Sequence, residues 1–214
     1  MQLNAETIGS GERHIGLVHG LGADGTTWRP LIDRLVATGR YTITTIDLRG
    51  HGRSDRAGSY GLDELAADVV DTLPTDLHSV VGHSLGGAVL VRAVGRLRPR
   101  HAIYLDPGFQ LSLPTSGVAG RLFWAVPAVT LGVVGALQAR RSARQAAAYD
   151  ARIRGEMARS RELFDSSMAI GVFRDVAFHP IRIAAPEVPS TIVLSDESPA
   201  VLSDAMAAEL EAVG

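Results

Sequence analysis

Ser79-Val80-Val81-Gly82-His83-Ser84-Leu85-Gly86-Gly87-Ala88-Val89-Leu90 is the stretch on which the fold is decided. Ser79 to Val81 reads as a short apolar strand, and Ala88 to Leu97 as an apolar helix. Between them lies Gly82-x-Ser84-x-Gly86. A serine flanked by small residues at a sharp strand-to-helix turn is lifted above the sheet with its hydroxyl accessible, because the flanking glycines relieve the crowding that such a turn creates. The bland reading is a glycine-rich turn with an idle serine. The pattern is common by chance, and its placement between a strand and an apolar helix is what favours the chemical reading.

The same alternation extends on both sides. Upstream, His14 to His19 reads as a strand that ends in His19-Gly20-Leu21-Gly22-Ala23-Asp24-Gly25, after which Thr27 is placed to cap a helix carrying Trp28, Leu31, Ile32, Leu35 and Val36. Tyr41 to Ile46 is a second, β-branched strand running into the loop Asp47-Leu48-Arg49-Gly50-His51-Gly52-Arg53-Ser54-Asp55. Gly61 to Leu73 has helical spacing at Leu62, Leu65, Ala66, Val69 and Val70, with Pro74 as the stop. Downstream, His101 to Leu105 is another strand, ending in Asp106-Pro107-Gly108. Strands alternating with helices at this spacing imply an α/β fold, a mostly parallel sheet with helices on both faces and functional loops at the carboxyl ends of the strands.

From Gln110 to Val188 the alternation stops, and apolar stretches are divided by arginines, which reads as a helical insertion. Strand character returns at Thr191 to Leu194 and a last helix at Ala200 to Val213. The expected division is therefore a core over 1–109, a helical cap over 110–188 and the rest of the core over 189–214. Leu122 to Ala139 has no charged side chain, close to the length of a membrane span. Pro127 and the position of this stretch between parts of one sheet favour a cap helix over a pocket, so membrane spanning is not expected.

Composition narrows the chemistry. The 214 residues are 46% hydrophobic and 21% charged, with a net charge of −2, so no basic field is available for nucleic acid. All 21 basic residues are arginine, which excludes a Schiff-base or P-loop lysine; the absence of cysteine excludes a thiol nucleophile and thiolate-held metals. No metal or organic cofactor is implied. The first ten residues lack the basic start and apolar run of a signal peptide, and a cytoplasmic location is expected.

Taken together, His19-Gly20-Leu21-Gly22 followed by Trp28, the segment Asp47 to Ser54, and Gly82-His83-Ser84-Leu85-Gly86-Gly87 resemble the α/β-hydrolase superfamily, in its cap-bearing, serine-nucleophile, esterase-like group. The resemblance implies Ser84 as catalytic nucleophile and the backbone N–H groups of Leu21 and Leu85 as the oxyanion hole. It implies that Asp47 to Ser54 braces a loop, that His51 packs or bonds locally, and that His83 points away from the serine hydroxyl. A serine at the elbow disfavours the branches that use aspartate there.

Two features depart from the family pattern. Ser195 and Ser198 stand where a glycine and the triad acid are common, so the acid is assigned to Asp106, with Asp196 as the alternative and Glu197 beside it. The catalytic histidine is expected one strand beyond Gly214, so the chain reads as C-terminally shortened, its last strand and helix missing and a sheet edge left open to pairing or oligomer formation. Of the seven histidines, His179 alone is placed to approach from the cap, and it reads as a loop or core residue. The expected partner is a small, apolar, uncharged substrate, from Leu122, Phe123, Trp124, Val126, Val129 and Leu131. The alternative is a non-catalytic binding module of the same fold.

Overall fold

The computed structural model describes residues 1–109, 113–132, 149–182, 184–195 and 204–213. Six strands form one sheet: β1 (Ala5–Gly9), β2 (Arg13–Val18), β3 (Tyr41–Ile46), β4 (Ser79–His83), β5 (Ala102–Leu105) and β6 (Ser190–Val193). Their order is β1-β3-β2-β4-β5-β6. β1 runs antiparallel to β3 and the other four pairings are parallel. The mostly parallel sheet expected from the alternation is present, and the antiparallel β1 is an addition that the N-terminal residues did not announce.

Side-chain alternation along the buried strands sorts the core into two layers. Ile15, Leu17, Ile43 and Val81 face α1 (Arg29–Val36), packing with Trp28 and Ile32. Val18, Ile46 and Val80 face the other way, onto α2 (Leu62–Thr72) and α3 (Leu85–Leu97). Gly16 lies on that second face because a Cβ there would come within 3.0 Å of Leu73 and Leu77 side-chain carbons.

Helix boundaries shift where tertiary contact outweighs local preference. The α3 helix begins at Leu85, three residues before the apolar run: Gly86 and Gly87 are poor helix formers, yet nothing larger fits. A Cβ on Gly86 would sit 2.3 Å from the Val18 carbonyl oxygen, and one on Gly87 2.8 Å from Pro107 Cβ. Thr27 is not a cap. Asp24 takes that role, its Oδ1 accepting from Thr26 N–H at 2.9 Å and opening a 3₁₀ turn, Gly25–Trp28, ahead of α1. The carboxylate reaches forward to the N–H two residues on, which is the usual Asx geometry.

Between β5 and β6 the described residues form α4 (Gly117–Ala125), α5 (Ala151–Leu163) and α6 (Ser167–Phe178). The apolar run from Leu122 is not one helix: α4 ends at Ala125 and Val126 leaves helical geometry, as expected for the residue before a proline. Leu122, Val126 and Val129 are exposed, whereas Leu131 is buried, so the six apolar residues do not share one wall. No helix of the described residues is long and apolar enough to cross a membrane. After β6, residues 196–203 lie outside the described set, and α7 (Asp204–Ala212) packs Met206, Ala207 and Leu210 against the core. β6 is an edge strand of the sheet, with Val193 and Leu194 exposed.

The loop after β3 is tied to α2 by a buried ion pair. Arg49 Nε donates to Asp68 Oδ2 at 2.5 Å and its Nη1 to the Ser59 carbonyl at 3.1 Å, while the N-terminal ammonium donates to Asp68 Oδ1. Asp68 is 1% exposed. Asp68→Ala would leave Arg49 buried without its counter-charge, and a loss of about 3–5 kcal/mol in unfolding free energy is expected, measurable by urea denaturation.

Candidate active site

Ser84 occupies a backbone conformation that L-residues seldom adopt, φ 50° and ψ −113°, between the end of β4 and the start of α3. Such a conformation costs on the order of 1–3 kcal/mol and persists only where surroundings over-determine it. Here they do. Ser84 N–H donates to the Leu105 carbonyl at 3.0 Å, and its own carbonyl accepts from Gly87, Ala88 and Gly108 N–H at 3.0, 3.2 and 2.9 Å. Gly82 is forced as well, since a Cβ there would lie 2.6 Å from the Gly86 carbonyl oxygen. The Ser84 hydroxyl itself has no hydrogen-bond partner among the described residues.

The loop after β2 folds over this turn. A Cβ on Gly20 would approach Ser84 Cβ to 3.2 Å and His83 Nδ1 to 2.9 Å, so the backbone passes directly beside the serine only because the residue is glycine. Leu21 and Leu85 N–H make no hydrogen bond to another described residue, Leu85 because it opens a helix whose first amides lack intrahelical partners. Leu85 follows Ser84 in the chain, and Leu21 follows Gly20, whose backbone passes beside the serine.

Leu21 is clamped on both sides by buried, neutral histidines. His19 Nδ1 bonds the Gly20 carbonyl at 2.8 Å and its Nε2 accepts from Leu48 N–H at 3.0 Å. His51 Nε2 accepts from Gly22 N–H at 3.0 Å, its Nδ1 facing the Arg49 carbonyl at 3.2 Å. Each ring must therefore donate from Nδ1 and accept at Nε2, which a protonated imidazole cannot do. Asp47 completes the bracing, its Oδ1 accepting from Gly25 N–H at 2.8 Å and its Oδ2 from Asn4 Nδ2 and Arg53 N–H, both at 2.9 Å. The segment Asp47 to Ser54 thus supports the loop beside Ser84, and His51 is bonded within that support.

Asp106 follows β5 in a left-handed conformation, φ 42°, with its N–H donating to the Val193 carbonyl at 2.7 Å. Its Oδ1 is buried without a hydrogen-bond partner among the described residues. Gly108, two residues on, is the donor to the Ser84 carbonyl, so this carboxylate belongs to the loop lying against the serine turn. An unpaired buried carboxylate oxygen is costly unless something is meant to meet it. The alternative acid, Asp196, lies outside the described residues, as does Glu197. None of the seven histidines is bonded to Ser84: His179 pairs with Asp175 at 2.9 Å with its side chain 71% exposed, and His14, His78 and His101 meet Thr44, Ser79 and Thr191. His83 is mostly buried, which lowers its pKa against the opposing pull of Asp106.

The model of the Alpha/beta hydrolase family matches residues 17–213. The chain belongs to that family. Among curated relatives of this α/β hydrolase, the pimeloyl-[acyl-carrier protein] methyl ester esterase of Aliivibrio salmonicida is 35% identical over 88 residues, 41% of this chain and 32% of the relative. That of Methylococcus capsulatus is 37% identical over 99 residues, 46% of this chain and 37% of the relative. The matched stretch thus spans about a third of the length of these relatives. Among solved structures, a hydrolase from Oleispira antarctica superposes with a TM-score of 0.73 at 19% identity, covering 99% of this chain and 83% of that one. The N-formylmaleamic acid deformylase of Pseudomonas putida S16 gives 0.72 at 20% identity, covering 99% and 85%. At those identities the structures share the fold alone.

Burial pushes His19 down to about 4 and His51 to about 3, opposed by the nearby Asp24 and, for His51, Asp47. The sign follows from the reference state: unfolded imidazoles take up protons near pH 6.5, whereas the folded rings stay neutral to the lowered values. The stability of this α/β hydrolase should therefore be full above pH 6.5 and decline as pH falls toward 3–4, by roughly 3 kcal/mol for His19 and roughly 5 kcal/mol for His51 at the limit. Urea unfolding at stepped pH checks this, and His51→Phe should flatten part of the slope.

Proposed function

We propose that this protein is a serine hydrolase that cleaves an ester-like bond of a small hydrophobic substrate through an acyl-enzyme at Ser84. The observation that carries the reading is the strained Ser84, with its hydroxyl and the amides of Leu21 and Leu85 unbonded among the described residues. In the proposed step Ser84 Oγ attacks the substrate carbonyl carbon, and the developing oxyanion accepts from those two N–H groups. The alcohol leaves with a proton, and water then releases the acid and restores the serine. Asp106 is assigned as the acid, its buried Oδ1 free to receive the N–H of an imidazole and hold it toward Ser84. Esterase activity on a methyl ester, named for the relatives from Aliivibrio salmonicida and Methylococcus capsulatus, supports the ester class. In this reading the helices between β5 and β6 are the cap, and the apolar Phe123 and Trp124, in ring contact with each other, contribute to the apolar substrate preference.

The second reading, a binding module without turnover, is favoured by one observation: no described histidine meets Ser84. A fluorophosphonate probe and a short-chain p-nitrophenyl ester separate the two. The hydrolase reading expects labelling of the wild-type protein and its loss in Ser84→Ala, with ester cleavage at least about tenfold above the variant, whose remaining rate is what oxyanion donors and binding supply without the nucleophile. Identical behaviour of wild type and Ser84→Ala would overturn the hydrolase reading.

A further inference from the structure

The loop that carries the Leu21 amide is held at two points by groups from the helical segment between β5 and β6. At the first, the His51 ring is sandwiched: its centroid lies 4.8 Å from that of His19, edge to face, and 4.8 Å from that of Phe164 at 33°. Phe164 is the residue that ends α5. The same His51 accepts from Gly22 N–H, so the ring that Phe164 presses in place fixes the peptide next to Leu21. At the second point, Ser160 of α5 donates from Oγ to Asp24 Oδ2 at 2.8 Å, with Ser160 2% and Asp24 5% exposed. Asp24 Oδ1 holds Thr26 N–H and hydroxyl at 2.9 and 2.5 Å, and Ala23 N–H closes back on the Gly20 carbonyl at 3.2 Å.

The seat of Phe164 is itself fixed. Asp165 N–H donates to the Gly50 carbonyl at 2.8 Å, and its Oδ2 accepts from the Tyr60 hydroxyl at 2.7 Å. Gly50 and His51 are neighbours, so the end of α5 and the brace of the loop share one junction. Phe164 packs against the hydrophobic core as well as on the His51 ring, and the buried Ser160–Asp24 bond joins residues 136 apart in sequence.

We propose that Phe164 and Ser160 are positioning residues through which the helical segment sets the Leu21 oxyanion donor. The proposal rests on the hydrolase reading of Ser84 for its purpose, but its physical content is independent of turnover. With α5 seated, His51 and Asp24 hold Gly22 and Thr26, and the Leu21 N–H stands beside the serine. With α5 displaced, both holds would be released together and the donor lost.

Amide hydrogen exchange resolved by NMR on the 214-residue protein tests this. In Phe164→Ala the Gly22 amide is expected to exchange at least tenfold faster, and in Ser160→Ala the Thr26 amide likewise. The Ser84 and Ala88 amides, bonded within the serine turn, should stay within about twofold of wild type. Phe164→Tyr should restore protection at Gly22, and the ¹⁵N resonance of His51 Nε2 should report loss and recovery of its acceptor role in the same variants. Unchanged Gly22 exchange in Phe164→Ala, or an equal rise at Gly22, Ser84 and Ala88, would overturn the coupling. If Phe164→Ala unfolds, Phe164→Leu and Ser160→Ala carry the same comparison in milder form. Ser84 labelling by the fluorophosphonate reports on the hydrolase reading separately, so loss of one conclusion is distinguishable from loss of the other.

Discussion

The close approach of α3 to the ends of β2 and β4 is the constraint on which the site depends. Gly86 lies where any Cβ would strike the Val18 carbonyl, and Gly82 where one would strike Gly86. Those contacts leave the chain no room to relax the turn between them, so Ser84 is held in its left-handed conformation by backbone packing rather than by its own preference. Strain placed here has a structural use: it ends the strand abruptly, opens α3 at once, and leaves the Ser84 hydroxyl without a partner among the described residues.

A second layer of support comes from polar groups buried at some cost. His19 and His51 are both kept neutral by burial, and each uses both ring nitrogens on the loop beside Ser84 or on the segment that braces it. Asp47 and Asp24 do similar work on the other side of the loop. Fully satisfied networks of this kind specify one conformation, because every alternative leaves a buried donor or acceptor unpaired. Asp106 stands apart, its buried Oδ1 without a partner among the described residues in the same region where so many others are paired.

The parallel-sheet architecture was legible in the alternation of apolar strands and amphipathic helices, and Tyr41 to Ile46 was read to the residue. What escaped was set by contacts remote in sequence. β1 carries no strong strand signal of its own and forms because β3 offers it a partner edge. Thr27 looked like a helix cap, but Asp24 is better placed once the loop is closed over Asp47. The start of α3 at Leu85 could not be read from two glycines, since their reason lies in Val18 and Pro107. Ser160 and Phe164 carried no sequence signal at all, being an ordinary serine and phenylalanine in an arginine-rich stretch.

The sequence by itself determined the kind of chemistry open to this chain: a serine at a glycine-flanked strand-to-helix turn, a glycine-rich loop after the preceding strand, and no lysine or cysteine to act in its place. Those are local facts, expressed in the spacing of small and apolar residues along a few turns of chain. Only the tertiary structure decided which buried histidines are supports, that Asp106 Oδ1 is unpaired among the described residues, and that α5 touches the loop beside Ser84 and its brace. Each of these depends on which distant groups share a low-dielectric space, and that is a property of the packed chain rather than of any stretch of it.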